Sequence, residues 1–156
     1  MVVRPIGPDD KRRLSDAFER SSPESRYRRF LSPTNKLQSS QLRYLAEIDH
    51  HRHEGIQAVD PHTDDGVGVA RFVRSPEDPS LAEVAVAVDD EWQGRGLGTV
   101  LLHDLAARAR EEGIKRFSAS VLAENKPMIG AFHKLGEVRV SGRDTGVVEL
   151  LIELPG

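Results

Sequence analysis

The sequence predicts a mixed α/β (α+β) fold, a sheet with helices on both faces, from three observations. Short apolar runs bounded by Gly, Pro and Asp recur at strand length, as in Val67 to Val73 and Leu81 to Val88. Longer stretches space their apolar residues by three and four, as Leu101, Leu102, Leu105, Ala106 and Ala109 do. Between one strand and one helix stands Gln93-Gly94-Arg95-Gly96-Leu97-Gly98-Thr99, a glycine-rich stretch that exposes backbone.

Taken in order, Val2 to Ile6 is a first strand stopped by Pro5, Gly7 and Pro8. Asp9 and Asp10 are N-cap candidates for a helix whose apolar face is Leu14, Ala17 and Phe18. A second helix is expected after Ser22-Pro23-Glu24, carrying Tyr27 and Phe30 and a solvated basic face of Arg26, Arg28 and Arg29, before a loop at Ser32-Pro33-Thr34-Asn35. Ser40 opens a third, with Leu42, Leu45 and Ile48 inward. Ile56 to Val59 and Val67 to Val73 form an antiparallel hairpin around the turn-rich Asp60 to Gly66. Leu81 to Val88 then feeds the glycine-rich loop, and a helix from Thr99 to Glu112 ends at Gly113. Phe117 to Val121 is a strand, Pro127 to Leu135 a helix ended by Gly136, and Val138 to Val140 and Val147 to Leu154 close the chain. The order β-α-α-α-β-β-β-α-β-α-β-β implies a mixed sheet.

Composition narrows the class. A length of 156 residues suits one domain spanning residues 1–156. Hydrophobic residues at 38% and charged residues at 30% give a polar but periodic chain, which argues against disorder. Neither an apolar run of membrane-spanning length nor a basic-then-apolar leader is present, so a soluble, cytoplasmic protein is expected. With no cysteine, catalysis rests on other groups, and thiolate metal sites are excluded. Residues 1–50 carry ten Lys/Arg against seven Asp/Glu and residues 51–156 twelve against eighteen, too mild a split for a nucleic-acid partner but tolerant of a cationic substrate. Asp49-His50-His51-Arg52-His53 invites a metal reading, yet no further ligand at a recognisable spacing completes a site, so a polar cap on a strand end is expected and no metal.

A strand, a glycine-rich loop and a helix aim peptide N–H groups and the positive end of a helix dipole at one point, an anion site suited to phosphate. A dinucleotide fingerprint fails at Thr99, where its third glycine should stand, and a Walker A loop fails for want of a lysine after Gly98. What fits is Q/R-x-x-G-x-G/A, read as Gln93 to Gly98, which resembles the acetyl-CoA pyrophosphate loop of the GNAT N-acetyltransferase superfamily. The competing reading is a tight turn that uses glycine only for sterics. A second feature agrees: Val121-Leu122-Ala123-Glu124-Asn125-Lys126-Pro127-Met128 is similar to the family's strand, Asn and helix beside the pantetheine arm.

Within that superfamily the chain looks most like the Pat-type bacterial protein lysine acetyltransferases, through Ser22 to Ser32, the segment around Asp49-His50, Ala82-Glu83-Val84-Ala85 and Arg143 to Val148. The resemblance implies a largely antiparallel central sheet of about seven strands. It also implies acetyl-CoA as cosubstrate, with the pyrophosphate on Gly94 to Thr99, Leu97 among them, Gln93 beside the loop as a further cofactor residue, and a charge-assisted contact from Arg95. Peptide N–H groups at Val86 and Val88 would hold the pantetheine and polarise the thioester carbonyl, a contribution of ~3 kcal/mol for a comparable oxyanion donor. Asn125, Met128 and Phe132 complete the implied cofactor residues.

A lysine amine, with an ordinary pKa of about 10.4, must lose a proton before it attacks. Glu83 is the candidate base: an acidic residue in the otherwise apolar run Leu81 to Val88, matching the Pat-type glutamate, whose partial burial would raise its pKa. Periodicity alone would instead make it a solvent-facing strand residue. Many GNAT enzymes place a tyrosine general acid where Phe132 stands; a thiol pKa of about 8.5 lets the thiolate leave without one, and direct transfer through a ternary complex remains open. Glu137 is a second departure, at a position where the family often has an aromatic residue. The expected activity is acetylation of a protein lysine by a monomer or homodimer; the alternatives are a small-molecule amine N-acetyltransferase and a noncatalytic acyl-CoA-binding sensor. An open groove would favour the first, a closed acidic pocket the second.

Overall fold

The computed structural model of the chain describes residues 1–20 and 38–155. The expected second helix, with Tyr27, Phe30 and its arginines, and the loop at Ser32 to Asn35 lie outside the described residues. Seven strands form one sheet: β1 (Val2–Pro5), β2 (His53–Val59), β3 (Gly66–Arg74), β4 (Leu81–Val88), β5 (Arg116–Leu122), β6 (Glu137–Asp144) and β7 (Val147–Glu153), in the order β1-β2-β3-β4-β5-β7-β6. Every neighbouring pair is antiparallel except β4 with β5. Among the described residues four α-helices accompany it: α1 (Lys11–Arg20), α2 (Ser39–Ala46), α3 (Leu97–Glu111) and α4 (Lys126–Leu135).

The pleat sorts the helices onto two faces. On β4, Ala82 and Val84 point into the main core while Glu83 and Ala85 are exposed on the opposite face. The main core joins Ile56, Phe72, Val84 and Phe117 of the sheet to Leu101, Leu102 and Leu105 of α3 and Ala131, Phe132 and Leu135 of α4. Burying side chains of this size contributes roughly 1.5–3 kcal/mol each. A smaller cluster on the other face packs Leu14 and Phe18 of α1 and Leu45 and Ala46 of α2 against Ile6 and Val69. Helices thus cover both faces, as expected. The described helices on this second face cover the β1–β3 half, and β4 onward presents an open surface there among the described residues.

Several boundaries differ from the sequence expectation for identifiable reasons. β2 begins at His53 rather than Ile56, because His53, Glu54 and Gln57 are buried polar residues inside a fully buried strand and so interrupt the apolar pattern. β6 runs to Asp144 instead of stopping at Val140. Its polar second half is extended by pairing with β7, with a register shift between Val140 and Gly142, and the hairpin closes through Thr145 at φ 43° and Gly146 at φ 78°. The third expected helix starts at Ser39, and Ile48 lies beyond its end at Ala46 while still packing on the smaller cluster. α3 starts at Leu97, two residues before Thr99, which puts Gly98 in its first turn. Pro5 sits on edge strand β1, where a missing N–H is tolerated.

Candidate active site

The parallel ladder between β4 and β5 is only three residues long: Leu81, Ala82 and Glu83 pair with Arg116, Phe117 and Ser118, and pairing ends there. β4 continues along β3 to Val88 and β5 continues along β7 to Leu122, so the two strands part and leave a gap in the sheet. Which peptide groups face that gap follows from the hydrogen bonds at its flanks. Asp89 donates to the Val67 carbonyl at 2.8 Å and Ser75 donates to Leu81 at 2.8 Å, so odd-numbered residues of β4 turn their peptide groups to β3. Even-numbered ones turn the other way: Lys115 donates to the Ser80 carbonyl at 2.7 Å, and the Gln93 side-chain amide donates to the Val88 carbonyl at 3.1 Å. The peptide groups of Val86 and Val88 therefore face the gap, past the end of the ladder.

Through this gap, walled by α3 and α4 on one side and by Ala17 and Phe18 of α1 with Val69 and Ala87 on the other, lies a cavity of about 460 Å³, a size typical of ligand pockets. Its walls include Val86, Val88, Gln93, Gly94, Gly96, Leu97, Gly98, Thr99, Asn125 and Met128, ten of the thirteen site residues expected from sequence. The glycines are there for different reasons. Gly94 and Gly96 adopt φ of 77° and 81° with open space where a Cβ would stand, so backbone conformation demands them. Gly98 has no positive φ; a Cβ there would lie 3.7 Å from Met128 Cε, 3.8 Å from Val88 Cγ2 and 4.0 Å from Val86 Cγ1, facing the cavity. A pure turn explains the first two glycines and leaves the third to the space it keeps clear. Gly96 is also the N-cap of α3, so the free N–H groups of that first turn open at the same spot.

Asn125 caps α4, its Oδ1 accepting from the Met128 N–H at 3.4 Å, which fixes the helix start at the mouth of the gap. Three expected residues stand apart from the walls. Phe132 is 1% exposed and belongs to the main core, one residue round the helix from Ala131, and does not line the cavity. Arg95 projects from the loop and places its guanidinium 4.9 Å over the Trp92 ring, outside the cavity lining. Glu83 sits where the ladder ends, on the face opposite Val84, Val86 and Val88, roughly 10 Å along the strand from Val86. It is exposed, so the partial burial expected of it is absent: the strand's alternation decides its environment.

Sequence reasoning missed Phe18, Gly68, Asp89, Trp92 and Lys134, all of which line the cavity. Gly68 lets β3 approach α3 closely, since a Cβ there would lie 2.9 Å from Leu101 Cδ1. Burial raises the Asp89 pKa, opposed by the Arg20 guanidinium 3.4 Å away. Lys134 carried one readable signal, its spacing of three from Ala131 and six from Met128 on one helix.

The histidine segment is spent elsewhere. Asp49 Oδ1 accepts from the backbone N–H groups of His51, Arg52 and His53, which pull its pKa down to about 2. His50 pairs with Glu54 at 2.8 Å, His51 with Glu112 at 2.6 Å, and His53 Nε2 lies 3.0 Å from Arg71. Burial, and then the Arg71 charge, push the pKa of His53 down to about 4. The three rings thus have three separate partners, and His50 takes a positive φ of 66°.

Comparison with known proteins agrees with this geometry. Residues 14–136 match the model of the acetyltransferase (GNAT) family. The acetyltransferase Pat of Mycolicibacterium smegmatis is 36% identical over 156 residues, covering 98% of this chain and 45% of that protein, so the chain spans less than half the length of this relative. The GNAT domain of S. lividans PAT superposes with a TM-score of 0.88 at 36% identity, covering 97% of this chain and 89% of that one. A GNAT superfamily phosphinothricin acetyltransferase from Sinorhizobium meliloti, solved in complex with acetyl-CoA, shares the fold with a TM-score of 0.78 at 18% identity, covering 98% and 88%.

Proposed function

Because the chain belongs to the acetyltransferase (GNAT) family, we propose that it transfers the acetyl group of acetyl-CoA to a primary amine, that of a protein lysine side chain, directly and with Glu83 as the base. The observation that carries this reading is the end of the β4–β5 ladder at Glu83–Ser118, which turns the peptide N–H groups of Val86 and Val88 into a gap that the cavity occupies, with Glu83 at the point where the strands part. The cavity fits the cofactor chemically: an anion site at Gly94 to Thr99 and the start of α3 suits a pyrophosphate, and the apolar wall of Val86, Val88 and Met128 suits a pantetheine chain.

Bound acetyl-CoA supplies an acyl thioester. The chain supplies the rest. Val86 and Val88 present N–H donors where charge develops on the carbonyl oxygen, and such preorganised donors are worth far more there than in water. Glu83 accepts the amine proton at the point where the strands part, directly or through water, which an amine of ordinary pKa about 10.4 requires. Phe132, buried in the core, offers the leaving thiolate no proton. Glu83 and Ala85 lie on a sheet face that no described helix covers, an approach open to a lysine carried on a protein surface.

The test is an acceptor panel: acetyl-CoA with the purified chain and either a folded lysine-rich protein or small amines such as a polyamine and an aminoglycoside, read by mass spectrometry. Acetylation of protein lysines in preference to the small amines is expected. Transfer only to the small amines replaces the protein-lysine reading with a small-molecule one. Binding of acetyl-CoA without any transfer leaves a noncatalytic acyl-CoA sensor.

A further inference from the structure

The gap between β4 and β5 has two banks, and strand register fixes what stands on each. Glu83 faces Ser118 in the last pair of the ladder, so two residues further, about 7 Å along each strand, Ala85 lies on one bank and Ser120 on the other. β7 continues the second bank, with Glu149 paired to Ser120. Ala119, Val121, Val148 and Leu150 belong to the main core, so by alternation Ser120 and Glu149 project from the other face, the one that Glu83 and Ala85 share. The cavity reaches that same face at Val69 and Ala87. Its rim is therefore small and apolar along β4 and carries a carboxylate along β7.

Resting on the protein-lysine reading above, we infer that Glu149 binds the ammonium group of the acceptor lysine at the rim of the gap, and that Ser120 holds the Glu149 carboxylate in place. The Ser120 hydroxyl lies 2.8 Å from Oε1 and 2.7 Å from Oε2 of Glu149. A hydroxyl has one proton to donate, so the carboxylate keeps most of its acceptor capacity, which suits an ammonium with three donors. Glu149 is half-buried, where a charge-assisted hydrogen bond is screened less than on open surface. Positive charge on this face is held elsewhere: Arg116 donates to Asp78 at 3.1 Å, Arg71 donates to the Leu45 carbonyl at 3.0 Å, and Arg139 stands beside Leu151, one strand further from the gap. Other surface carboxylates also lack a cation; Glu149 differs in its place, on the bank opposite the strand that carries Glu83 and the peptide N–H groups of Val86 and Val88. The two carboxylates then divide the work. Glu149 captures the protonated amine, the form that dominates at neutral pH, and Glu83 takes its proton. A Ser120–Glu149 bond that only ties β5 to β7 predicts no link between the charge of Glu149 and acceptor affinity.

Steady-state kinetics of the wild type, Glu149→Gln and Glu149→Asp, with acetyl-CoA and a folded lysine-rich protein at low and high salt, separate the cases, circular dichroism confirming that all three proteins are folded. Glutamine keeps an oxygen for Ser120 and removes the charge. Its KM for the lysine protein is expected to rise about tenfold, with kcat at saturating acceptor and the KM for acetyl-CoA close to those of the wild type. Salt should raise the acceptor KM of the wild type by a larger factor than that of Glu149→Gln, and Glu149→Asp should recover part of the loss. An unchanged acceptor KM in Glu149→Gln would overturn the inference, as would a fall in kcat or a rise in the acetyl-CoA KM of the same size. Absence of any lysine transfer by the wild type would defeat the protein-lysine reading itself, before any variant is compared.

Discussion

Two stretches of this chain are dense in groups able to do chemistry, the Val86–Thr99 segment and the Asp49–Glu54 segment, and they end in opposite conditions. In the histidine segment the carboxylates and the rings are used internally: one carboxylate takes three backbone N–H groups, and each ring has its own partner. In the loop segment peptide groups turn toward a gap and a cavity where no strand pairs with them. The difference teaches that residue type marks potential, whereas the site is where that potential is left unsatisfied by the chain itself. Buried polar groups that are paired give structure, and donors facing a cavity wait for a ligand.

The largest effect that would break this contrast is on turnover. Glu83→Gln should lower kcat by about 10²–10⁴-fold while leaving acetyl-CoA affinity and the melting temperature unchanged, because Glu83 is exposed and does not line the cavity. Steady-state kinetics beside calorimetry reads all three, and retained turnover would remove Glu83 from the mechanism. The second effect belongs to the histidine segment. His53 has a folded pKa of about 4 against an ordinary 6.5, so its neutral form is the one the fold holds. Stability should be complete above pH 6.5 and fall as the pH drops toward 4, by up to about 3 kcal/mol. Denaturant titrations at pH 7 and pH 4.5 test this, and the slope should flatten in His53→Gln.

Asp49→Ala comes next, at about 1–2 kcal/mol, since three N–H groups lose one acceptor. With its pKa held near 2, that contribution should be present above about pH 4 and lost as the pH falls through 2, with activity per folded molecule unaffected. The smallest effect on stability sharpens the comparison most. Gly96→Ala should cost about 1 kcal/mol from its φ of 81°, whereas Gly98→Ala should cost almost none, its Cβ meeting only ordinary contacts. If Gly98 is kept small for a ligand, that same alanine should still weaken acetyl-CoA binding in a calorimetric titration. Unchanged affinity would return the loop to the status of a turn.

What could be read ahead of the structure was whatever is local in sequence. Gln93 to Thr99 and Asn125 are contiguous motifs, and seven strands with helices on both faces follow from periodicity. Phe132 shows the limit: its position in a helix resembles that of a cofactor residue, but 100° per residue turns it into the core while Ala131 and Lys134 face the cavity. Trp92 and Phe18 reach the cavity from a short 3-10 turn and from α1, through tertiary contacts that no local pattern encodes. β2 was half hidden for the converse reason, that His53 and Glu54 at its start are paired inside the protein and so mimic a surface.

The three-residue β4–β5 ladder has a consequence for how the molecule breathes. Strands β1 to β4 form one cooperative meander and β5, β7 and β6 another, and across the sheet they share only the pairs at Leu81, Ala82 and Glu83. Cohesion between these halves falls largely to α3 and α4 packed across the seam. Amide exchange should therefore divide the sheet into two protection classes, with the seam opening at lower free energy than either meander. A ligand spanning the seam would fasten the halves together and bring the two classes closer, linking occupancy to rigidity through the same missing hydrogen bonds that make room for it.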